Sequence, residues 1–291
     1  MRILLTGATG FVGSSILQNL CQDSNLELEV ISKSKKIEES VNSITIHHFY
    51  DFEKESLRSV LRQKKFDVLV HAAWQGLPDR CPELNSQNLN ITSNLFEEFV
   101  NSGGKVIIGL GSCLEYGTRC GQVSESDSGS NLSDFGFAKR FLSSQLSKFG
   151  VPYVWIRPFY LYGPGQHPNS LLNLSLKYLS SDDSTWMIEP YLANDFTHVH
   201  DLGRLVHTLI KGELWIGELN AGTSLSTRNI EFVNSVRKLV GKSEYSVVSH
   251  DDYVGMSADL TKLRRFLPDF SFLNLNDGLN LFMKQKFEAR N

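Results

Sequence analysis

The chain has little of what would mark a secreted, membrane-spanning or nucleic-acid-binding protein. It carries four cysteines in 291 residues, Cys21, Cys81, Cys113 and Cys120, with no CxxC pair. That spacing predicts free thiols in a reducing compartment, without a disulfide framework or a zinc site. No run of about 18 apolar residues is present, so no membrane-spanning helix is expected. The N-terminus, "MRILLTGATG", enters a strand pattern at once and lacks the charged region, apolar core and cleavage site of a secretory signal. A net charge of −3 leaves no basic footprint for nucleic acid or an anionic membrane. The expectation is a soluble, cytoplasmic protein.

What is present is a 41% hydrophobic composition, enough for a substantial core. Short apolar runs alternate with helical periodicity from the first residue. Strands are predicted at 2–6, 26–32, 43–49, 66–73, 105–112 and 152–158, and helices at 11–21, 55–63, 85–103 and 134–149. Strands with few polar interruptions, each followed by a helix, belong to a parallel sheet covered on both faces. The fold class is therefore α/β, a Rossmann-type doubly wound parallel sheet with a smaller C-terminal second domain. After the Gly- and Pro-rich "YGPGQHP" (162–168) the rhythm changes to short helices and isolated strands. The first domain is placed at 1–163, with some later segments returning to it, and the second mainly at 164–291.

"TGATGFVG" sets Gly7, Gly10 and Gly13 directly after the first strand and at the opening of its helix. A turn this tight needs residues without Cβ, so that backbone can approach a pyrophosphate at the positive end of the helix. NAD enzymes place an acidic residue about 20 positions further on, to take the ribose hydroxyls. Here the second strand ends in "ISKSKK", with Ser32 and Lys33 and no carboxylate before Glu38. A cationic, hydroxyl-rich strand end suits a 2′-phosphate, so NADP(H) is preferred and NAD(H) is the alternative.

These residues resemble the extended short-chain dehydrogenase/reductases, in particular the NAD(P)-dependent nucleotide-sugar epimerases, dehydratases and ketoreductases. The resemblance covers nearly the whole chain. "TGATGFVG" is similar to the family's cofactor fingerprint, which implies dinucleotide contacts along Gly7, Thr9, Gly10, Phe11, Val12 and Gly13. "YDF" implies that Asp51 and Phe52 meet the adenine. "HAAW" (71–74) matches the segment after the fourth strand, implying cofactor contacts from Ala72 and Ala73 and a substrate contact from Trp74. "GSCLEYG" (111–117) resembles the stretch carrying the catalytic hydroxyl, which four-residue spacing from Tyr116 places at Ser112. "RPFYLYGPGQ" (157–166) and "NDFTHVHDL" (194–202) resemble later signatures, implying a cofactor contact at Pro158 and substrate contacts at Tyr160, His167, Asn169 and Asn194.

The family's catalytic pair is a Tyr and a Lys spaced YxxxK, one helical turn apart on one face. Lysine holds the ribose and lowers the phenol pKa, so that the phenol exchanges the proton accompanying hydride transfer. In "DFGFAK" (134–139) Lys139 is present, but position 135 is phenylalanine. Three readings of Phe135 stay open: an engineered Tyr→Phe variant, a natural enzyme using another acid such as Cys113, Tyr116, Tyr160 or His167, or a cofactor-binding protein without the chemistry.

The family's 4,6-dehydratases carry an acidic pair after the catalytic hydroxyl, where this chain has Cys113 and Leu114. Dehydration is therefore disfavoured, and Glu115, though near in sequence, is expected on the opposite face from its neighbour Leu114 because adjacent residues on a strand alternate. Reduction of a nucleotide-linked 4-keto-(6-deoxy)sugar is the leading expectation, with epimerisation as the alternative and Cys113 as a candidate acid/base. Further departures from the family pattern, Tyr160 and Asn194, leave Lys177 or Arg228 as candidates for phosphate binding. His71 is read as a core histidine. His198 and His200 are two metal-type ligands without a third, so no metal site is expected. Partners are a nucleotide-diphosphate sugar and, as the resemblance implies, a second copy of the chain.

Overall fold

The computed structural model describes residues 1–32, 44–48, 54–77, 81–178, 189, 191–245 and 254–288. Strand β1 (Arg2–Thr6) is followed by α1 (Phe11–Leu20), β2 (Glu27–Ser32), β3 (Ile44–His48), α2 (Lys54–Lys64), β4 (Val68–His71), α3 (Pro82–Asn101) and β5 (Val106–Leu110). A 3-10 helix (Cys113–Tyr116) and β6 (Gly121–Val123) precede α4 (Asp134–Leu146), and a second 3-10 turn (Ser147–Phe149) leads to β7 (Tyr153–Pro158). The chain continues through β8 (Leu161–Tyr162), α5 (Leu171–Lys177), β9 (Leu192–Asn194), β10 (Thr197–His198), α6 (Val199–Lys211) and β11 (Gly217–Ala221). It ends with β12 (Thr227–Arg228), α7 (Asn229–Leu239), β13 (Val254–Ala258), α8 (Thr261–Phe266) and α9 (Leu275–Glu288).

Seven strands pair in the order β11-β7-β5-β4-β1-β2-β3. All pairings from β3 across to β7 are parallel. Parallel neighbours need a crossover, and α1, α2, α3 and α4 lie in the connections that supply it. β4 and β5 are buried at every residue, as their uninterrupted apolar sequences require of strands covered on both faces. This is the Rossmann-type α/β fold. The strand order reverses beside β1: the chain moves outward to β2 and β3, then returns to β4 on the other side. The topological switch point therefore lies at the carboxyl ends of β1 and β4.

Two compact units are present. The first holds Met1–Gly117, Asn131–Arg157 and Leu202–Leu219; the second holds Thr118–Ser130, Pro158–Asp201 and Asn220–Asn291. The first unit packs around Leu4, Leu69, Phe96, Phe99, Ile107 and Trp155. Each such side chain contributes about 1.5–3 kcal/mol on full burial. Gly109 on β5 has no side chain because the Trp155 ring fills the place: a Cβ there would fall 2.5 Å from it.

In the second unit Tyr162, Phe196, Phe232 and Leu279 form the core, with the Phe196 and Phe232 ring centroids 4.4 Å apart. β12, β9, β13 and β6 make a small sheet in that order, and β8 pairs with β10. The wholly buried Asp195 ties its turns together. Its carboxylate accepts from the Thr223 N–H (2.7 Å) and hydroxyl (2.6 Å), the Ser224 N–H (2.9 Å) and the Ala258 N–H (3.0 Å). Burial raises its pKa despite these donors. Among the described residues no helix is long and apolar enough to cross a membrane.

Candidate functional site

At the strand-order reversal, β1 ends in Thr6 and the chain turns through Gly7 with φ of +75°, a backbone conformation that costs other residues strain. A Cβ on Gly7 would fall 2.6 Å from the Ala72 carbonyl carbon and from the Ala73 nitrogen. The turn can therefore press against the segment after β4 only as glycine. The Gly10 N–H closes the turn on the Gly7 carbonyl at 2.9 Å. Gly13 sits where any Cβ would overlap that same oxygen, so α1 begins hard against the turn.

Gly10 is the N-cap of α1, with no side-chain cap and no acidic residue in the first turn. The first backbone N–H groups of the helix, around Phe11, Val12 and Gly13, thus lack intrahelical partners at the positive end of its dipole. Thr9 and Gly10 are exposed there, and Ala72 and Ala73 are half-buried. This is a cradle that fits a diphosphate. Ser32 is buried at the end of β2. Lys33, Asp51 and Phe52 lie outside the described residues. His71 is satisfied within the core: Nδ1 lies 2.8 Å from the Thr6 hydroxyl and Nε2 3.1 Å from that of Thr92. Burial, with Lys139 adding to it, pushes its pKa down to about 3.

Ser133 caps α4 by accepting the Gly136 N–H at 3.2 Å. A Cβ on Gly136 would overlap the Leu114 carbonyl oxygen, so glycine lets the first turn of α4 abut the 3-10 helix. Phe135 and Lys139, one turn apart, are both buried. Lys139 Nζ donates to the Leu110 carbonyl oxygen at 2.8 Å, at the end of β5. It also lies 3.8 Å from the Trp74 ring centroid and 5.7 Å from that of Phe135. Trp74 meets Phe135 edge to face at 5.6 Å and donates its indole N–H to Asn85 at 3.2 Å. Burial lowers the Lys139 pKa to about 7, with Glu115 acting in the opposite direction.

Ser112 is not on a strand, as the sequence reading had it, but is the extended N-cap of the 3-10 helix Cys113–Tyr116. The alternation argument for Glu115 fails with it. A 3-10 turn brings residue i+3 back over residue i, and Glu115 Oε1 accepts the Ser112 N–H at 2.9 Å. Reciprocally, Ser112 Oγ accepts the Leu114 N–H at 3.2 Å, closing a capping box.

The Glu115 carboxylate also accepts the Trp155 indole N–H at 3.0 Å and the Arg157 Nε–H at 2.9 Å. Arg157 Nη1 donates to the Tyr116 hydroxyl at 3.1 Å. Burial raises the Glu115 pKa against the pull of Arg157. Glu115 and Arg157 were passed over as site residues in the sequence, although Ser112-x-x-Glu115 is itself a capping-box pattern. Cys113 and Tyr116 are buried, and the Tyr116 phenol is taken up by Arg157.

The remaining expected residues belong to the second unit. Pro158 ends β7. Tyr160 is 39% exposed, with its ring 6.4 Å from that of Phe196. His167 and Asn169 are exposed, and the Asn169 N–H donates to His167 Nδ1 at 3.1 Å. Asn194 is buried, its amide donating to Asn229 Oδ1 at 2.9 Å. Arg228 is engaged by Glu231 at 2.7 Å. The His200 N–H donates to Nδ1 of the buried His198 at 3.2 Å. Among the described residues no group of three potential metal ligands occurs.

Comparison with known proteins agrees with the fold. A curated relative, dTDP-6-deoxy-L-talose 4-dehydrogenase (NAD(+)) of Aggregatibacter actinomycetemcomitans, is 23% identical over 88% of this chain and 98% of its own length. The UDP-glucose 4-epimerase of Thermotoga maritima, solved with UDP-glucose, superposes with a TM-score of 0.84 at 18% identity over 100% of both chains. A Tyr→Phe variant of UDP-glucuronic acid 4-epimerase from Bacillus cereus, solved with UDP-4-deoxy-4-fluoro-glucuronic acid and NAD, superposes with a TM-score of 0.80 at 22% identity, covering 98% and 99% of the two chains. The model of the NAD dependent epimerase/dehydratase family matches residues 3–216. The chain belongs to that family, the extended short-chain dehydrogenase/reductases that act on nucleotide sugars.

Proposed function

We propose that the chain is a nucleotide-sugar oxidoreductase that reduces the 4-keto group of a nucleotide-linked 6-deoxysugar. The observation that carries this reading is the buried Lys139 ammonium, held at the end of β5 one helical turn from position 135. The relative named as a 4-dehydrogenase of a 6-deoxysugar supports the substrate class.

Gly7, Thr9, Gly10, Phe11, Val12 and Gly13 would hold the diphosphate of the dinucleotide, and Ala72, Ala73 and Pro158 would flank its nicotinamide half. Ser32, Lys33, Asp51 and Phe52 would meet its adenosine half. When bound, the nicotinamide supplies hydride to the sugar carbon. Ser112 donates a hydrogen bond to the sugar oxygen, Lys139 holds the ribose, and position 135 is the proton site of an active parent. Trp74, Tyr160, His167, Asn169 and Asn194 contact the sugar nucleotide, and Cys113 is the alternative proton donor. The lysines that follow Ser32 in the sequence, Lys33, Lys35 and Lys36, support NADP(H), whereas NAD in the relatives' names supports NAD(H). Equilibrium binding of the two decides between them.

A second reading, 4-epimerisation, is favoured by the two superposed 4-epimerases. The chain would work as a homodimer in the cytoplasm, the compartment suggested by four scattered cysteines without a CxxC pair. The test follows reduced-dinucleotide absorbance together with sugar analysis, for this chain and its Phe135→Tyr variant, given nucleotide-linked 4-keto-6-deoxysugars. Restoring a general acid raises the rate about 10²–10⁴-fold. Sugar conversion with no net cofactor consumption selects the epimerase. Silence of both proteins with dinucleotide bound supports a catalytically silent binding protein.

A further inference from the structure

We propose that the buried Glu115–Arg157 pair is a positioning device that presets the Ser112 hydroxyl as a hydrogen-bond donor. The inference rests on the reading above, in which Ser112 touches the sugar oxygen.

A serine hydroxyl has one proton to give and two lone pairs to receive, and free rotation lets it do either. Here rotation is constrained. One lone pair of Ser112 Oγ is taken by the Leu114 N–H at 3.2 Å. The serine backbone is fixed as well, because its N–H is bound to Glu115 Oε1 at 2.9 Å with φ of −162° and ψ of 151°. The Leu114 N–H cannot accept, so the O–H proton is left for another acceptor, such as a keto oxygen.

Glu115 can impose this only if its carboxylate cannot move. Trp155 and Arg157, both on β7, donate to it at 3.0 and 2.9 Å. Arg157 in turn binds the Tyr116 hydroxyl at 3.1 Å, with its guanidinium 5.1 Å from the Tyr116 ring centroid. The carboxylate is thus pinned between β7 and the 3-10 helix that follows β5. Gly111 is shaped by the same network: a Cβ there would overlap both Glu115 Oε1 and the Trp155 indole nitrogen.

Stability is a poor reason for such a pair. Removing two charges from water costs about as much as their attraction returns, and a solvent-exposed Glu or Gln would close the same capping box. What burial adds is rigidity, directed at one hydroxyl.

The test measures, by calorimetry on the dinucleotide-loaded protein, affinity for UDP-, dTDP- and GDP-linked glucose and for the 4-deoxy counterpart of each. A donated hydrogen bond gives the 4-oxygenated sugar an advantage of about tenfold. Ser112→Ala removes that advantage. Glu115→Gln, which leaves Arg157 and the Ser112 N–H facing a neutral amide, reduces it without changing affinity for the 4-deoxy sugar, and adds nothing in the Ser112→Ala background. A merely structural role would weaken both ligands equally and add to Ser112→Ala. An advantage retained in Glu115→Gln, or additive losses, overturns the inference and leaves the functional reading standing. An advantage retained in Ser112→Ala, or no binding of any of these sugars to the unsubstituted chain, overturns the functional reading and this inference together. Where Glu115→Gln fails to fold, Glu115→Asp, whose shorter carboxylate cannot span from Ser112 to Arg157, is read by the same criteria.

Discussion

Lys139 Nζ lies 3.8 Å from the centroid of the Trp74 indole, so the lysine has an aromatic face as one partner and the Leu110 carbonyl as another. A desolvated cation on tryptophan gains about 2 kcal/mol. That gain and the Leu110 hydrogen bond only partly offset burial, and the amine is left with a pKa lowered to about 7.

The lowered value makes Lys139 one source of pH-dependent stability. An unfolded lysine keeps its proton up to about 10.4, whereas the folded chain releases it near 7. Between these values the unfolded state binds more protons, so stability rises with pH. Urea unfolding of the dinucleotide-free protein is expected to show higher stability at pH 9 than at pH 7, and Lys139→Met is expected to abolish the difference. Trp74→Leu removes the aromatic face and moves the titration lower still. Equal stability of the unsubstituted chain at both pH values counts against a titrating Lys139.

Gly13→Ala places a methyl group inside the Gly7 carbonyl oxygen. The oxygen is also the acceptor of the Gly10 N–H, so α1 must move away from the turn. The expected cost is about 1–3 kcal/mol of stability, the usual range for overpacking, together with loss of dinucleotide binding. Thermal melts and calorimetry read the two effects, and unchanged affinity would count against the cradle.

Asp195→Asn keeps the volume of the side chain but turns one acceptor into a donor facing backbone N–H groups. Two buried donors then oppose the new NH₂, and the expected loss is about 1–3 kcal/mol. The pH dependence has its own sign. Burial raises the folded pKa of Asp195, so its protonated form is favoured in the folded state. Stability is fully present below the unfolded value of 3.8 and falls as pH rises through the folded value. Denaturant unfolding of both proteins across mildly acidic pH measures it, with the slope absent from Asp195→Asn.

Phe137 and Phe141, four residues apart on α4, are 58% and 41% exposed, with ring centroids 6.5 Å apart. Paired aromatics on one exposed helix face are the kind of surface a second copy would cover. If the chain dimerises through α4, Phe137→Glu with Phe141→Glu yields a monomer by light scattering. A dimer that survives both changes places the contact elsewhere.

Much of the first unit was legible because its signals are local. The apolar runs of β1, β4 and β5 and the Gly7, Gly10 and Gly13 spacing each specify their own structure, and the strand-to-helix turn appeared where the glycines put it. The Glu115 network was misread for a physical reason: a strand argument was applied to residues that form a 3-10 turn, where position i+3 returns to position i. Arg157 escaped because its partners, Glu115 and Tyr116, are about 40 residues away in sequence and meet it only through the pairing of β5 with β7. The sheet of the second unit was invisible for a related reason. β6, β9, β12 and β13 are 2 to 5 residues long and pair strands drawn from distant parts of the chain.

The chain passes between its two units after Gly117, Ser130, Arg157, Asp201 and Leu219. No single cut can release either unit whole. A graft meant to transfer the second unit of one such chain onto the first unit of another must carry three separate segments at once, with all five junctions intact.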